Sequence, residues 1–229
     1  MSKIQSSGTG SLLKSPLVFV NPLKGYLDTE RLEPELKDRL KVIDLDKLQS
    51  LEQVDTIIAH SFSCIPVALA CLKKEIKPRV LLWLEPENLL YNKSLVEETL
   101  LESNQALIKR LRSSIDSLSI EPLFKARWLD CLESNPENFR QTLELHHEAL
   151  GRPYFAAEIA SMPSKLVVGL SDYYQLREWN EKRFHEYGLA NFTSIHWMTL
   201  RNCGFFAFEE QGGIPLLGAL AQLALWTGP

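Results

Sequence analysis

Ser61 stands where one residue pattern stops and another starts. Before it the run DTIIAH (55–60) is apolar and rich in β-formers, and after it SCIPVALACLKKEI (63–76) reads as a helix. A nucleophile held at a tight strand-to-helix turn needs small residues two positions to either side, because strand and helix approach closely there. Here those residues are Ala59 and Ser63. The chemistry such a hydroxyl performs is acyl transfer, and it needs a base to take its proton and donors to hold the developing oxyanion.

The chain's five histidines, His60, His146, His147, His185 and His196, are the candidate bases. His196 falls inside an apolar run and reads as a satisfied core residue. His146 and His147 fall on an amphipathic stretch. They reach over Ser61 only if that stretch folds down, and a solvated helix face is the plainer account. As metal ligands with Glu144 or Glu148 they fail, because adjacent residues of a helix point in different directions and no third ligand lies at helical spacing. The cysteines, Cys64, Cys71, Cys131 and Cys203, have no close CxxC spacing and read as reduced, packed thiols.

The elements that must position Ser61 follow from hydrophobic patterning. PLVFV, KVIDL, DTIIAH, RVLLWLEP, KLVVGLSD and TSIHWMTL are short apolar runs suited to strands buried on both faces. Between them lie helical patterns at 27–40, 63–76, 173–188 and in the terminal GGIPLLGALAQLALW. Strands alternating with helices imply an α/β class: a mainly parallel central sheet of about six strands with helices on both faces. From about 88 to 161 no strand is evident. That segment reads as a helical insertion punctuated by Pro122 and Pro136, in the position of a lid.

Composition excludes several classes. With 45% hydrophobic and 24% charged residues the 229-residue chain is a folded globular protein, expected to form one domain over 15–229. Residues 1–14, rich in Ser and Gly, are expected to be a flexible leader. A formal net charge of −4 with scattered basic residues argues against a nucleic-acid partner. No apolar run is long enough for a signal segment or a membrane span, which places the protein in the cytoplasm as an expectation.

The residues around Ser61 resemble the α/β-hydrolase superfamily, in its lid-bearing esterase and thioesterase-like members. The family's G-H-S-x-G-G reads here as Ala59-His60-Ser61-Phe62-Ser63-Cys64. The resemblance covers most of the chain from Pro16 onward. It implies Ser61 as nucleophile, Asp172 after the fifth run as the acid, and the backbone N–H groups of Leu23 and Phe62 as oxyanion donors. It also implies that the His60 side chain points away into the fold.

Two departures stand out. The family's G-H-x-P-x-x-E appears as Cys203-Gly204-Phe205-Phe206-Ala207-Phe208-Glu209-Glu210, so Phe205 occupies the histidine position and the triad is degenerate. The family's His-Gly after its first conserved strand appears as Asn21-Pro22. Asn21, Cys203, Phe206 and Phe208 are the substrate-binding candidates, the aromatics favouring an apolar ligand or acyl chain, or else forming core.

The implied activity is cleavage of an ester or thioester of a small or acyl-chain substrate, with the base unassigned and no cofactor. A catalytically degenerate fold that binds a ligand or a protein partner stays open, as does a lyase or cyclase using the same pocket.

Overall fold

The computed structural model describes residues 17–51, 54–86, 93–117, 121–171, 189–206 and 208–226. The expected leader, Asp172 and the helical pattern at 173–188 lie outside them.

Six strands form one sheet: β1 Leu17–Asn21, β2 Leu40–Asp44, β3 Thr56–His60, β4 Val80–Leu84, β5 Lys165–Ser171 and β6 His196–Leu200. Their order is β2-β1-β3-β4-β5-β6, and all five pairings are parallel. Each strand overlaps one of the six apolar runs, β1 and β2 reaching one residue beyond theirs. β1, β3 and β4 are buried at every residue, as runs of Val, Ile, Leu and Phe must be when both faces of a sheet are covered. The edge strands β2 and β6 are only partly buried.

Side chains divide by strand pleat into two cores. Leu17, Phe19, Ile58, Leu82 and Val167 face one side. There they meet α1 (Pro34–Lys37), α4 (Asn104–Ser117), α5 (Pro122–Ser134) and α8 (Ile214–Trp226), with Val96 of α3 (Lys93–Leu101). Val18, Val20, Ile57, Leu81 and Val168 face the other, against α2 (Cys64–Leu72) and α7 (Phe155–Ala160). Helix α6 (Pro136–Leu150) serves both, sending Phe139 and Leu143 to the first core and Ala149 to the second.

Helices α3 to α7 all fall between β4 and β5, where the sequence shows no strand. Both α5 and α6 begin at a proline, whose missing N–H is one of the donors a first turn leaves unpaired anyway. One helical expectation changes. The pattern at 27–40 folds as a 3-10 turn at Thr29–Arg31 and a single helical turn at Pro34–Lys37. Pro34 disfavours helix at Glu33, so a continuous helix cannot run through it.

Since β1 is flanked by β2 on one side and β3 on the other, the chain reverses its direction of travel across the sheet at β1. Crevices outside the carboxyl ends of strands form at such a point. Asn21 ends β1 and Ser61 follows β3 there.

Candidate active site at the carboxyl ends of the strands

At Ser61 the backbone turns with φ of 52°, in the left-handed region that L-residues enter at a cost of about 1–2 kcal/mol. A 3-10 turn over Ser61–Ser63 then leads directly into α2. Ser63 staples this turn. Its Oγ accepts the His60 N–H at 2.9 Å and donates to the His60 carbonyl at 3.0 Å. Ala59 and Ser63 are both fully buried, so the expected small residues sit where strand and helix crowd together.

His60 serves the fold. Its Nε2 lies 2.7 Å from the Phe205 carbonyl, which can only accept, so Nε2 carries the proton and Nδ1 accepts from the Tyr26 hydroxyl at 3.0 Å. Burial pushes its pKa down to about 3, only partly opposed by the Phe205 carbonyl. The imidazole is therefore neutral, with both nitrogens engaged by groups other than Ser61.

His146 is similarly buried. It donates from Nδ1 to the Thr142 carbonyl at 2.7 Å and is held near pKa 4 by desolvation. His147 ties α6 to α3 through Glu97 at 3.1 Å. His196 opens β6 and is half-buried, rather than enclosed as expected. His185 lies outside the described residues.

Phe205, where the resemblance places a histidine, is buried. Its ring stacks on Trp128 of α5, with centroids 5.1 Å apart and planes at 12°. Phe206 stacks on Phe124 of the same helix at 4.7 Å. Phe208 packs on Phe19 at 4.9 Å and edge-on to His60 at 4.5 Å. Phe62, the residue after the serine, meets Phe139 of α6 edge-on at 4.8 Å and Trp128 at 6.1 Å. The aromatic residues on either side of the elbow thus form one cluster with α5 and α6.

The remaining candidates are placed as follows. Asn21 donates from Nδ2 to Asp44 and accepts from the Leu27 N–H, each at 3.3 Å, which fixes the loop after β1. Leu23 is buried in that loop. Cys203 is buried, its thiol 3.4 Å from the Leu200 carbonyl. The loop after β6 is clasped by Glu210, whose carboxylate accepts the N–H groups of Gly204 at 2.7 Å and Phe206 at 3.1 Å.

Glu209, with its side chain 0% exposed, forms a two-armed ion pair with Arg127 of α5 and accepts the Asp28 N–H at 3.1 Å. Burial raises the Glu209 pKa and Arg127 opposes the rise. This pair joins the insertion helix, the loop after β1 and the loop after β6 around the elbow. Among the described residues no group of three or more His, Cys, Asp or Glu is placed to hold a metal ion.

One residue escaped the sequence reading. Glu85 is fully buried and also left-handed, with φ of 42°. His60 pairs with Leu84 across β3 and β4, so Ser61 and Glu85 leave the sheet from adjacent strand ends. The Glu85 carboxylate accepts the N–H of Ser171, the residue before Asp172. The available signal was a lone acidic residue directly closing an apolar run at the carboxyl end of a strand.

The fold recurs in solved structures. A carboxylesterase of the thaumarchaeon Nitrososphaera gargenis aligns over 94% of this chain and 92% of its own, with TM-score 0.61 and 11% identity. The fold is that of the α/β-hydrolases.

An esterase of Thermogutta terrifontis aligns over 93% of this chain and 89% of its own at TM-score 0.57 and 13% identity. The thioesterase domain of the curacin biosynthetic pathway covers 93% and 92% at TM-score 0.52 and 15% identity. No protein-family model matches the chain, and no curated protein matches it in sequence. In this α/β-hydrolase frame the described sheet is wholly parallel, and five helices are inserted after β4.

Proposed function

We propose that this chain cleaves an ester or thioester carrying an apolar acyl group, with Ser61 as the nucleophile. One observation carries the reading: a buried serine in a left-handed backbone conformation, at the carboxyl end of β3 beside the point where strand order reverses. Strain of this kind persists only where the surrounding structure over-determines it, and it concentrates at functional sites. In this reading the Phe62 and Leu23 N–H groups receive the oxyanion, Asp172 is the triad acid, and the aromatic cluster borders the acyl group. The helices between β4 and β5 act as the lid, since α5 and α6 supply Trp128 and Phe139 to that cluster. The proton acceptor is a group other than His60, whose two nitrogens are already engaged.

A second reading rests on a specific observation. Phe205, whose ring stacks on Trp128, takes the sequence position that the resemblance gives to the base, and a phenyl ring takes no proton. A fold disabled in this way would serve in binding instead.

Labelling with a fluorophosphonate serine probe separates the two. The proposal expects the native protein to label and Ser61→Ala to stay unlabelled. An unlabelled native protein, with labelling gained in Phe205→His, overturns it in favour of binding.

A further inference from the structure

At the end of the sheet opposite Ser61 the molecule carries a cavity of about 680 Å³. It lies at the amino ends of two strands, since its wall residues Arg79 and Ser164 immediately precede β4 and β5. Its volume falls within the range of roughly 300–1,000 Å³ typical of small-ligand sites.

The lining has two chemistries. Leu72, Ile76, Pro78, Met162 and Pro163 give an apolar surface. Lys74, Lys77, Arg79 and Arg152 bring four cations, against the single carboxylate of Glu158. Two of the cations are already matched. Arg79 donates to Asp55 at 2.8 and 3.2 Å, and Arg152 to Glu158 at 2.6 and 3.1 Å. Among the described residues Lys74 and Lys77 make no ion pair.

The ordinary account of lysines at a helix C-terminus is that they neutralise its free carbonyls. Here two of those carbonyls have backbone partners. The Lys74 N–H donates to Cys71 and the Glu75 N–H to Ala70, both at 3.0 Å, closing α2 in the reverse-turn cap that normally uses glycine at its left-handed position. Lys74 holds that position with φ of 61°, so a residue with a long cationic side chain stands where glycine would be unstrained.

We infer that this cavity binds an amphipathic anion, its apolar body against Leu72, Ile76 and Met162 and its anionic head on Lys74 and Lys77. The wall thiol, Cys71, is pushed up to about 12 by burial and acts as an apolar surface rather than as a nucleophile. The site is independent of the chemistry at Ser61, from which the whole length of the strands separates it.

Calorimetric titration of the full chain with decanoate, decyl phosphate and decanol tests the inference. Saturable binding of either anion is expected, about tenfold or more tighter than decanol; which anion binds better assigns the head group. Lys74→Ala/Lys77→Ala should weaken the anion about tenfold or more, and Met162→Trp, which fills the cavity and keeps both lysines, should abolish binding. Ser61→Ala should bind unchanged. Decanol binding as tightly as decanoate, an unaffected double lysine variant, or loss of binding in Ser61→Ala would each overturn it.

Discussion

Two fully enclosed imidazoles make this fold sensitive to mild acid. His60 is held at about pKa 3 and His146 at about 4, in both cases chiefly by desolvation, against an ordinary value of 6.5. Between those values the unfolded chain binds a proton at each position that the folded chain refuses. Stability therefore falls as pH falls through 6.5. Because both folded values lie below 5, the loss from pH 7 to pH 5 is set by the unfolded value alone: about 2 kcal/mol for each histidine and about 4 together.

Glu209 acts with the opposite sign. Its folded pKa is raised, so the stability it contributes is present at low pH and is lost as pH rises through that value. Asp55, lowered from 3.8, loses its contribution only below the window. The comparison is therefore made between variants.

Urea unfolding at pH 7, 6 and 5, followed by tryptophan fluorescence, measures the loss. His146→Asn keeps a donor for the Thr142 carbonyl. His60→Gln keeps a donor for Phe205 and an acceptor for Tyr26. Each should reduce the acid-dependent loss by about 2 kcal/mol relative to the native chain. If the native and variant proteins lose stability in parallel, the histidines are not held neutral, and the assignment of His60 to the core is wrong.

Two further outcomes follow from the same geometry. Ser61→Gly should be about 1 kcal/mol more stable than Ser61→Ala in thermal unfolding, because only glycine occupies φ of 52° without strain; equal stability would deny the elbow conformation. Glu209→Ala, which leaves Arg127, 18% exposed in the native chain, with Asp28 at 3.9 Å as its acidic partner among the described residues, should cost about 3 kcal/mol, and Arg127→Ala in the same chain should recover part of it. Additive losses in that double-mutant cycle would mean that the ion pair does not join α5 to the loop after β6.

Much of the frame was legible in the chain. Apolar runs such as PLVFV and RVLLWLEP suit strands covered on both faces, and the prolines at 122 and 136 mark helix starts because their rings suit a first turn. Ser61 was legible for a local reason as well: small neighbours and a switch from strand to helix within three residues. The pattern at 27–40 misled because helical periodicity says nothing of how long a segment stays helical between two docking surfaces. Gly213 shows the constraint at one of them. A Cβ there would come within 2.4 Å of Leu36 in α1.

The sequence by itself determined the alternation of strands and helices, the serine at the turn and the phenylalanine at the expected histidine position. These depend on residue identity and short spacing. Tertiary structure alone decided what each polar group does. His60 is a neutral bridge because Tyr26 and Phe205, 34 and 145 residues away, engage its two nitrogens. Glu85 stands beside Ser61 because β3 and β4 pair in one particular register. Protonation state and neighbourhood are set by burial and by partners distant along the chain, and neither is written in local pattern.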